Sequence, residues 1–397
     1  MSGQPIYLDY QATTPTDPRV VEAMLPYFTE KFGNPGSATH AFGHEAETAV
    51  EKARGQVAAL IGAEAREIVF TSGATESNNL ALKGAAQFHR PLGKDHVVTV
   101  ATEHKCVVEA AKALERDGYR ATILGVDSRG FVDLRQIEKI LDPRTAIVSV
   151  MAANNEIGVL QPIAEIGAIC RAKGVLFHSD AAQAVGKIPL DVNTMNIDLM
   201  SISGHKLYGP KGIGALYVRR RPRARITAQI DGGGQERGMR SGTLPTPLCV
   251  GLGVACEIAQ REMVGEARRL FKFRERFLAR LKSHLPNIQI NGDPERRLPG
   301  NLNISIPGIA ATDLMDACPG VAVSSGSACS SAELEPSYVL RALGFSDERA
   351  GGSIRVGFGR MTNEAEIDRA ADLLAEAAMA LRRTGARSGE KAAVTPI

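Results

Sequence analysis

Three consecutive segments decide the fold: Thr145-Ala-Ile-Val-Ser-Val150, Ile163-Ala-Glu-Ile-Gly-Ala-Ile-Cys-Arg-Ala-Lys173 and Val175-Leu-Phe-His178. The first and third are short, largely apolar runs, which are typical of strands buried on both faces of a sheet. The middle segment has the spacing of an amphipathic helix. A strand, a helix and a second strand in this order predict two parallel strands joined by a helical crossover.

The same alternation extends outward from this unit and covers about residues 67 to 218. Helical patterns such as 74–88 and 105–117 lie between several of the apolar runs. We therefore predict a large α/β domain with a mostly parallel, seven-stranded sheet covered by helices. Its candidate strands are 68–71, 96–101, 121–124, 145–150, 175–178, 199–203 and 215–218.

The pattern changes after the Pro- and Gly-rich stretch 242–253. A long amphipathic segment runs to about residue 285, where Pro286 stops it. Three separated strand candidates (302–306, 321–323 and 354–358) and a closing helix at 364–382 then predict a smaller α+β domain. We assign 16–245 to the large domain, and 1–15 with 246–397 to the small domain, which carries a cysteine loop at about 324–335 and a polar C-terminal tail.

The composition is that of an ordinary globular chain, with 44% hydrophobic and 23% charged residues and a net charge of +3. This balance favours neither a nucleic-acid nor a membrane partner, and the five arginines within 219–225 are typical of a solvated face. We find no apolar run of membrane-spanning length and no secretory signal. Six scattered cysteines without a CxxC pair predict a reducing, cytoplasmic setting and no intrinsic metal site.

A lysine follows a predicted strand in Ser201-Ile-Ser-Gly-His-Lys206-Leu-Tyr-Gly-Pro-Lys-Gly-Ile-Gly214. Partial burial at a strand end makes a lysine amine nucleophilic and able to form a Schiff base. Ser203 and His205 beside it are hydrogen-bond donors suited to a phosphate. A surface lysine is the alternative, and Lys211 is the rival amine. The Ser-x-x-Lys spacing of penicillin-binding enzymes is also present, but their Ser-Asp-Asn and Lys-Thr-Gly motifs are absent.

Polar residues follow three other predicted strands, at the edge where ligands bind in α/β sheets. Asp180 is suited to keeping a pyridine nitrogen protonated, although capping the next helix is an alternative. Thr75 lies in Phe70-Thr-Ser-Gly-Ala-Thr-Glu76, which opens a helix whose N-terminus can hold a phosphate. His104 presents an imidazole that can stack on a ring or move protons.

A cysteine lies within Val323-Ser-Ser-Gly-Ser-Ala-Cys329-Ser-Ser-Ala, a run of small residues without apolar periodicity. We expect Cys329 on an exposed, mobile loop, where a sulfur nucleophile can enter a pocket and leave it again. Cys106, two residues from His104, is the rival thiol.

The chain resembles the cysteine desulfurases, pyridoxal-phosphate enzymes of iron–sulfur cluster assembly, from Tyr7 to about residue 382. The Cys329 loop is similar to that of their housekeeping and nitrogenase-associated branch. The resemblance rests on long motifs in order: Tyr7-Leu-Asp-Tyr-Gln-Ala-Thr-Thr-Pro15, Phe32-Gly-Asn-Pro35, Thr71-Ser-Gly-Ala-Thr-Glu-Ser77, Thr102-Glu-His-Lys105, Asn154-Asn-Glu-Ile-Gly158, Ser203-Gly-His-Lys-Leu-Tyr-Gly-Pro-Lys-Gly212, Arg237-Gly-Met-Arg-Ser-Gly-Thr243, Ser324-Ser-Gly-Ser-Ala-Cys329 and Leu334-Glu-Pro-Ser-Tyr-Val-Leu-Arg-Ala-Leu-Gly344.

The resemblance implies a fold-type-I transferase homodimer that binds pyridoxal 5'-phosphate and acts on L-cysteine, giving L-alanine and a persulfide on Cys329. It implies that Lys206 forms the Schiff base and that His104 stacks on the ring and acts as acid and base. The remaining implied roles are Asp180 at the pyridine nitrogen; Gln183 at the phenolic oxygen; Ala74, Thr75, Ser203 and His205 at the phosphate, joined by Thr243 of the other subunit; and Asn155 and Arg355 at the substrate carboxylate, with Asn34 nearby.

The resemblance also implies partners, namely a scaffold protein of cluster assembly (IscU- or NifU-like) and other sulfur acceptors. It implies contact with a metal only where the Cys329 persulfide transiently ligates a cluster shared with the scaffold. The tail after Arg383 departs from the housekeeping relatives, whose longer end helps to dock that scaffold. A selenocysteine lyase or an aminotransferase on the same fold is the alternative, but an aminotransferase needs no thiol nucleophile. A non-catalytic assembly platform is a third hypothesis, against which the complete set of Lys, Asp, His and Cys argues.

Overall fold

The computed structural model describes residues 4–325 and 336–392, with side chains as far as 383. Its helices are α1 (Pro18–Met24), α2 (Pro26–Thr29), α3 (Ala41–Leu60), α4 (Ala74–His89), α5 (Lys105–Arg116), α6 (Leu134–Ile140), α7 (Ile163–Lys173), α8 (Thr246–His284), α9 (Ala311–Ala317), α10 (Tyr338–Ala342), α11 (Asp347–Gly351) and α12 (Glu364–Ala392). Its strands are β1 (Ile6–Tyr7), β2 (Ile68–Thr71), β3 (His96–Val100), β4 (Arg120–Leu124), β5 (Thr145–Ser149), β6 (Leu176–Asp180), β7 (Leu199–Ser203), β8 (Gly214–Val218), β9 (Gln289–Ile290), β10 (Asn301–Ser305), β11 (Val321–Ala322), β12 (Ser324–Ser325) and β13 (Ser353–Gly357).

The large sheet has seven strands in the order β2-β8-β7-β6-β5-β3-β4. The run from β4 to β7 is parallel throughout, and only β8 lies antiparallel to both of its neighbours. Most of its strands are fully buried, as their continuous apolar runs require. The predicted mostly parallel, seven-stranded α/β architecture is confirmed.

A second sheet has four strands in the order β12-β13-β10-β9, all antiparallel, and β1 pairs with β11 beside it. The predicted strands 302–306, 321–323 and 354–358 each match an observed strand within one residue at either end. The two-residue strands β1, β9 and β12 were not predicted, because two residues carry no measurable periodicity.

Helix α8 connects the two regions. Its first half, including Leu252 and Cys256, packs in the core of the large sheet, whereas Phe277 and Leu281 pack in the core of the small sheet. The predicted end of this segment near residue 285 is confirmed, since the helix ends at His284. The domain boundary at 245/246 stays a prediction, because this one helix contributes to both cores.

The closing helix begins as the sequence indicates. The backbone N–H of Asn363 donates to the Glu366 carboxylate and the Glu366 N–H donates to Asn363 Oδ1, which is a reciprocal capping pair. The predicted end at 382 is wrong, because α12 continues to Ala392. The residues beyond 383 are mostly polar or small, so no apolar stripe marks them as helical. Within the described parts of the chain, no helix combines the length and apolarity needed to cross a bilayer.

Candidate active site

A cavity of about 610 Å3 opens at the carboxyl edge of the large sheet. This volume lies within the usual range of small-molecule sites. The cavity draws its walls from the N-terminal segment, from the turns after β2, β3, β5, β6 and β7, and from β13. The predicted site residues that line it are Ala74, Thr75, His104, Asn155, Asp180, Gln183, Ser203, His205, Lys206 and Arg355. Residues from distant parts of the sequence therefore share one cavity.

Lys206 lies in the single helical turn that directly follows β7. Its Nζ donates hydrogen bonds to two backbone carbonyl oxygens, Gln11 O at 2.6 Å and Ala12 O at 2.7 Å. The amine is thus held inside the cavity by the N-terminal segment. Lys211, the rival amine, also lines the cavity but is exposed. The geometry therefore favours Lys206 as the reactive amine.

Asp180 ends β6 and is 5% exposed. Its Oδ2 accepts a hydrogen bond from Asn78 Nδ2 at 2.7 Å, and its Oδ1 accepts from the backbone N–H of Ala182 at 2.9 Å. No helix in the described chain begins directly after it, so the helix-capping alternative finds no support. Asn78, on α4, orients this carboxylate, a role for which no signal is present in the sequence.

A turn between β2 and α4 forms one end wall of the cavity. The first N–H groups of a helix have no intrahelical partner, so Ala74 and Thr75 present donors at the positive end of α4. Ser203 lies beside this turn in the same cavity wall. A Cβ on Gly214 would lie 2.7 Å from Gly73 Cα, so glycine at 214 allows β8 to approach the turn this closely. The wall offers several donors suited to a phosphate.

His205 stands at the same end, with its Nδ1 3.0 Å from Thr13 Oγ1. Burial, together with the positive charges of Lys206, Lys211 and Lys187, lowers the pKa of His205 to about 4. The imidazole is therefore neutral near pH 7. Lys206 and Lys211, which both line the cavity, make this part of it electropositive, which suits an anionic group.

His104 caps the N-terminus of α5 through a hydrogen bond from the backbone N–H of Cys106 to its Nδ1. The same Nδ1 lies 3.0 Å from Cys106 Sγ. Cys106 also lines the cavity and accepts a hydrogen bond from Asn78 Nδ2. Its neighbour Glu103 is fully buried, and burial together with the charge of Asp180 raises the pKa of Glu103 well above its ordinary value.

Arg355, on β13, brings the small sheet into the cavity and is only 4% exposed. Its Nη2 donates to Asp9 Oδ1 at 2.7 Å and its Nη1 donates to Asn155 O at 3.0 Å. The Oδ2 of Asp9 accepts from Ser324 Oγ at 2.6 Å. Arg355 Nε and Asn155 Oδ1 are buried without a partner among the described residues. Buried polar atoms without partners in a cavity suit a polar ligand.

Two predicted site residues that the structure describes are not part of this cavity wall. Asn34 and Thr243 are exposed and lie outside the lining. Cys329 lies outside the described residues, as does most of its predicted loop. Within the described ranges, no three His, Cys, Asp or Glu side chains are arranged to hold a metal ion.

Comparison with known proteins gives consistent results. Residues 6–370 match the family model of class-V aminotransferases. A relative from Rickettsia bellii, named cysteine desulfurase IscS, is 60% identical over 370 residues, which is 93% of this chain and 90% of the relative.

Two solved structures are also similar to this chain. A NifS-like protein superimposes with a TM-score of 0.87 at 38% identity, over 94% of this chain and 99% of that protein. SspA in complex with cysteine superimposes with a TM-score of 0.78 at 38% identity, over 89% and 98% of the two chains. With the fold and the cavity, these similarities establish that this chain belongs to the class-V aminotransferase family, among its pyridoxal-phosphate-dependent cysteine desulfurases.

Proposed function

We propose that this protein removes the sulfur of L-cysteine with pyridoxal phosphate, releases L-alanine and takes up the sulfur on Cys329. The observation that carries this proposal is the single cavity that contains Lys206, Asp180, His104 and Arg355. An amine, a carboxylate, an imidazole and a guanidinium in one small-molecule cavity supply a covalent tether, a partner for a ring nitrogen, a proton carrier and a carboxylate anchor.

The residues present fit this cofactor at one end of the cavity, which we call the cofactor end (Lys206, Asp180 and Gln183). Lys206 Nζ would hold the cofactor covalently, and Asp180, oriented by Asn78 and Ala182, would pair with its ring nitrogen. The helix start at Ala74 and Thr75, with Ser203 and His205, would hold its phosphate. When bound, pyridoxal phosphate acts as an electron sink for the bonds of an attached amino acid.

The opposite end, which we call the carboxylate end (Asn155 and Arg355), fits the substrate carboxylate. Arg355 has an unpaired, buried Nε, and a guanidinium binds a carboxylate through two parallel hydrogen bonds. Asp9 already fixes the Arg355 side chain, so little rotamer freedom is lost when the substrate binds. His104, which lines the same cavity, would carry the proton that moves during turnover.

The sulfur-transfer step assigned to Cys329 balances without an external oxidant. The Cys329 thiolate attacks the substrate sulfur, an S–S bond forms, and the carbon–sulfur bond breaks with its electron pair left on the carbon. Bound pyridoxal phosphate would supply the electron sink that stabilises this pair, and a proton delivered to the carbon would replace the sulfur to give alanine. The sequence of small residues around Cys329 supports this role, since a thiol that must enter a cavity and leave it needs little steric bulk around it.

We further propose a homodimer in which Thr243 of one protomer reaches the phosphate site of the other. The exposed position of Thr243, outside the cavity of its own chain, supports this arrangement. Three exposed phenylalanines near the N-terminus, Phe28, Phe32 and Phe42, at 56%, 64% and 54% exposure, offer apolar surface for such an interface.

Iron–sulfur cluster assembly is the proposed destination of the sulfur, through an IscU- or NifU-like scaffold and other acceptors. The name of the Rickettsia relative supports this destination. A reducing, cytoplasmic setting fits the five cysteines in the described ranges, all of which are free thiols.

A comparison of the two candidate thiols tests the function. In Cys329→Ser, we expect sulfide release from L-cysteine to fall by about a thousandfold or more, while the visible absorbance of the bound cofactor is retained. Cys106→Ser is the matched control, because Cys106 lies in the cavity, and it should still release sulfide. Loss of sulfide release in Cys106→Ser together with full activity in Cys329→Ser would show that the nucleophile is assigned to the wrong thiol.

A further inference from the structure

The side chain of Lys187 lies behind the cofactor end and the reaction scheme leaves it without a role. Lys187 follows Gln183 by four residues in the turn after β6, and its Nζ lies 3.2 Å from Gln183 Oε1. Its side chain reaches a small enclosed cavity of about 20 Å3 between the N-terminal segment, α8 and the small sheet. This cavity is separate from the candidate active site, although Gln11 lines both.

The surroundings of Lys187 make it an unusual lysine. Its pKa is lowered to about 7, mainly by burial and also by the positive charges of Lys206 and Arg355, while the carboxylate of Glu266 on α8 opposes this shift. Two tyrosines that line the same cavity, Tyr10 and Tyr208, both have pKa values raised by burial and are neutral. Within the described ranges Lys187 has no ion-pair partner within 4.0 Å, so an ordinary salt bridge does not explain its burial.

The amide nitrogen of Gln183 also has a defined hydrogen-bond partner. Its Nε2 donates to Gln11 O at 2.9 Å, and Lys206 Nζ donates to this same oxygen at 2.6 Å. The amide nitrogen of Gln183 therefore lies beside the reactive amine, because both donors converge on one carbonyl. An amide can rotate by half a turn and exchange its oxygen and nitrogen at little steric cost, so its partners alone decide which atom faces the amine.

We propose that Lys187 is a positioning residue that orients the Gln183 amide. The charged Nζ of Lys187 can donate hydrogen bonds but cannot accept one. It therefore favours the amide orientation in which Gln183 Oε1 faces it. The amide nitrogen then faces Lys206 and presents an N–H to the phenolic oxygen of the bound cofactor. This inference rests on the proposed function, since it assigns Lys187 a role toward that cofactor.

Removal of the Nζ donor has a measurable consequence for the cofactor's colour. In the loaded enzyme, the visible absorbance changes with pH as Lys206 Nζ takes up or loses its proton. An N–H donor at the phenolic oxygen would draw negative charge away from Lys206 Nζ. The positive charge of Lys187 would also oppose a second positive charge on Lys206 Nζ. Both effects favour the unprotonated form, so Lys187→Met should raise the pH midpoint of the absorbance change by about one unit.

The experiment titrates the absorbance of loaded wild type, Lys187→Met and Gln183→Ala, with Lys139→Met as the matched control at an exposed lysine of α6. We expect Lys187→Met and Gln183→Ala to raise the midpoint, and Lys139→Met to leave it unchanged. Adding Lys187→Met to Gln183→Ala should raise the midpoint by less than Lys187→Met does alone, because the orienting effect acts through Gln183 and only the charge effect remains. A Lys187→Met midpoint equal to that of wild type would overturn the inference, as would a rise in the double variant equal to the sum of the two single rises.

The Lys187→Gln variant separates the effect of Gln183 amide orientation from the effect of the Lys187 charge. It also replaces Lys187→Met as the test if that variant does not fold. Glutamine keeps an N–H donor and removes the charge, so its midpoint should remain closer to wild type than to Gln183→Ala. A midpoint as high as that of Gln183→Ala would overturn the orienting role. Failure of wild type itself to take up pyridoxal phosphate would instead refute the proposed function, so the two failures are distinguishable.

Discussion

The cofactor end and the carboxylate end of the cavity are built in different ways. Lys206, Asp180 and Gln183 lie within one short stretch of sequence, at or just after the ends of two adjacent strands of the large sheet. Arg355, in contrast, comes from the small sheet and contacts residues 200 and 346 positions away, Asn155 and Asp9. The cofactor end thus depends on one sheet, whereas the carboxylate end exists only where two regions meet. Changes at the two ends should therefore affect cofactor and substrate separately.

The largest expected effect is at the cofactor end. Lys206→Ala should lower desulfurase activity by about a thousandfold or more, because the covalent tether and its amine are lost. The visible absorbance that borohydride reduces should disappear with it. Lys211→Ala is the matched control, since it removes the rival amine and should keep this chromophore. A reducible chromophore that persists in Lys206→Ala would show that another amine carries the cofactor.

The next effect is at the carboxylate end. Arg355→Ala should raise KM for L-cysteine by about 10- to 100-fold, as expected for the loss of a charged hydrogen-bond partner. The cofactor absorbance should stay unchanged, because Arg355 comes from the small sheet and belongs to the carboxylate end. Arg355→Lys should recover only part of the loss, since an ammonium cannot form the two parallel bonds of a guanidinium. An altered chromophore with unchanged KM would contradict the separation of the two ends.

A smaller effect tests whether a second protomer completes the cofactor end. Thr243→Ala should weaken pyridoxal-phosphate binding by about fivefold, which corresponds to the loss of one hydrogen bond. Equilibrium dialysis of the cofactor measures this change. In a mixed dimer of one Thr243→Ala protomer and one Lys206→Ala protomer, the intact lysine lies in the Thr243→Ala chain, which receives the unchanged threonine of its partner. Wild-type affinity at that lysine would support transfer between protomers, and weakened binding there would exclude it.

The smallest expected effect is a pH dependence of the folding stability of the protein without cofactor. The pKa of His205 is lowered to about 4 by burial, below its unfolded value near 6.5. The unfolded chain therefore binds more protons between these values, so stability should fall as the pH falls from about 6.5 to 4. His205→Asn should lose less stability over this range than wild type, as measured by urea unfolding at several pH values. Equal losses in both proteins would mean that His205 does not contribute, and that other buried histidines such as His178 carry the acid sensitivity.

Much of the cofactor end was predictable from the sequence for a simple reason. Polar residues directly after buried strands indicate a ligand edge, and Asp180, Ser203 and Lys206 each stand in such a place. What the sequence did not predict are the groups that hold these residues. The carbonyls of Gln11 and Ala12 contact Lys206, but a backbone carbonyl has no signature in a sequence.

Side chains with a supporting role were missed for a related reason. Asn78 lies on the buried face of α4, where it is indistinguishable from a residue of the helix core until its contact with Asp180 is seen. Asp9 belongs to a motif that we quoted, yet its pairing with Arg355 across 346 residues follows only from the docking of the two regions. From the sequence alone, Lys187 cannot be distinguished from a surface lysine, because nothing near it in the sequence indicates that its side chain is partly buried.

The sequence by itself determined the alternation of strands and helices, the edge at which the chemistry lies and the identity of the reactive side chains. These are local properties, since strand ends, helix starts and apolar periods are all encoded within a few residues. Only the tertiary structure decided which amine lies inside the cavity, which carboxylate fixes Arg355 and which lysine faces Gln183. Those choices depend on packing between segments that are far apart in the chain, and no local pattern specifies the distance between them.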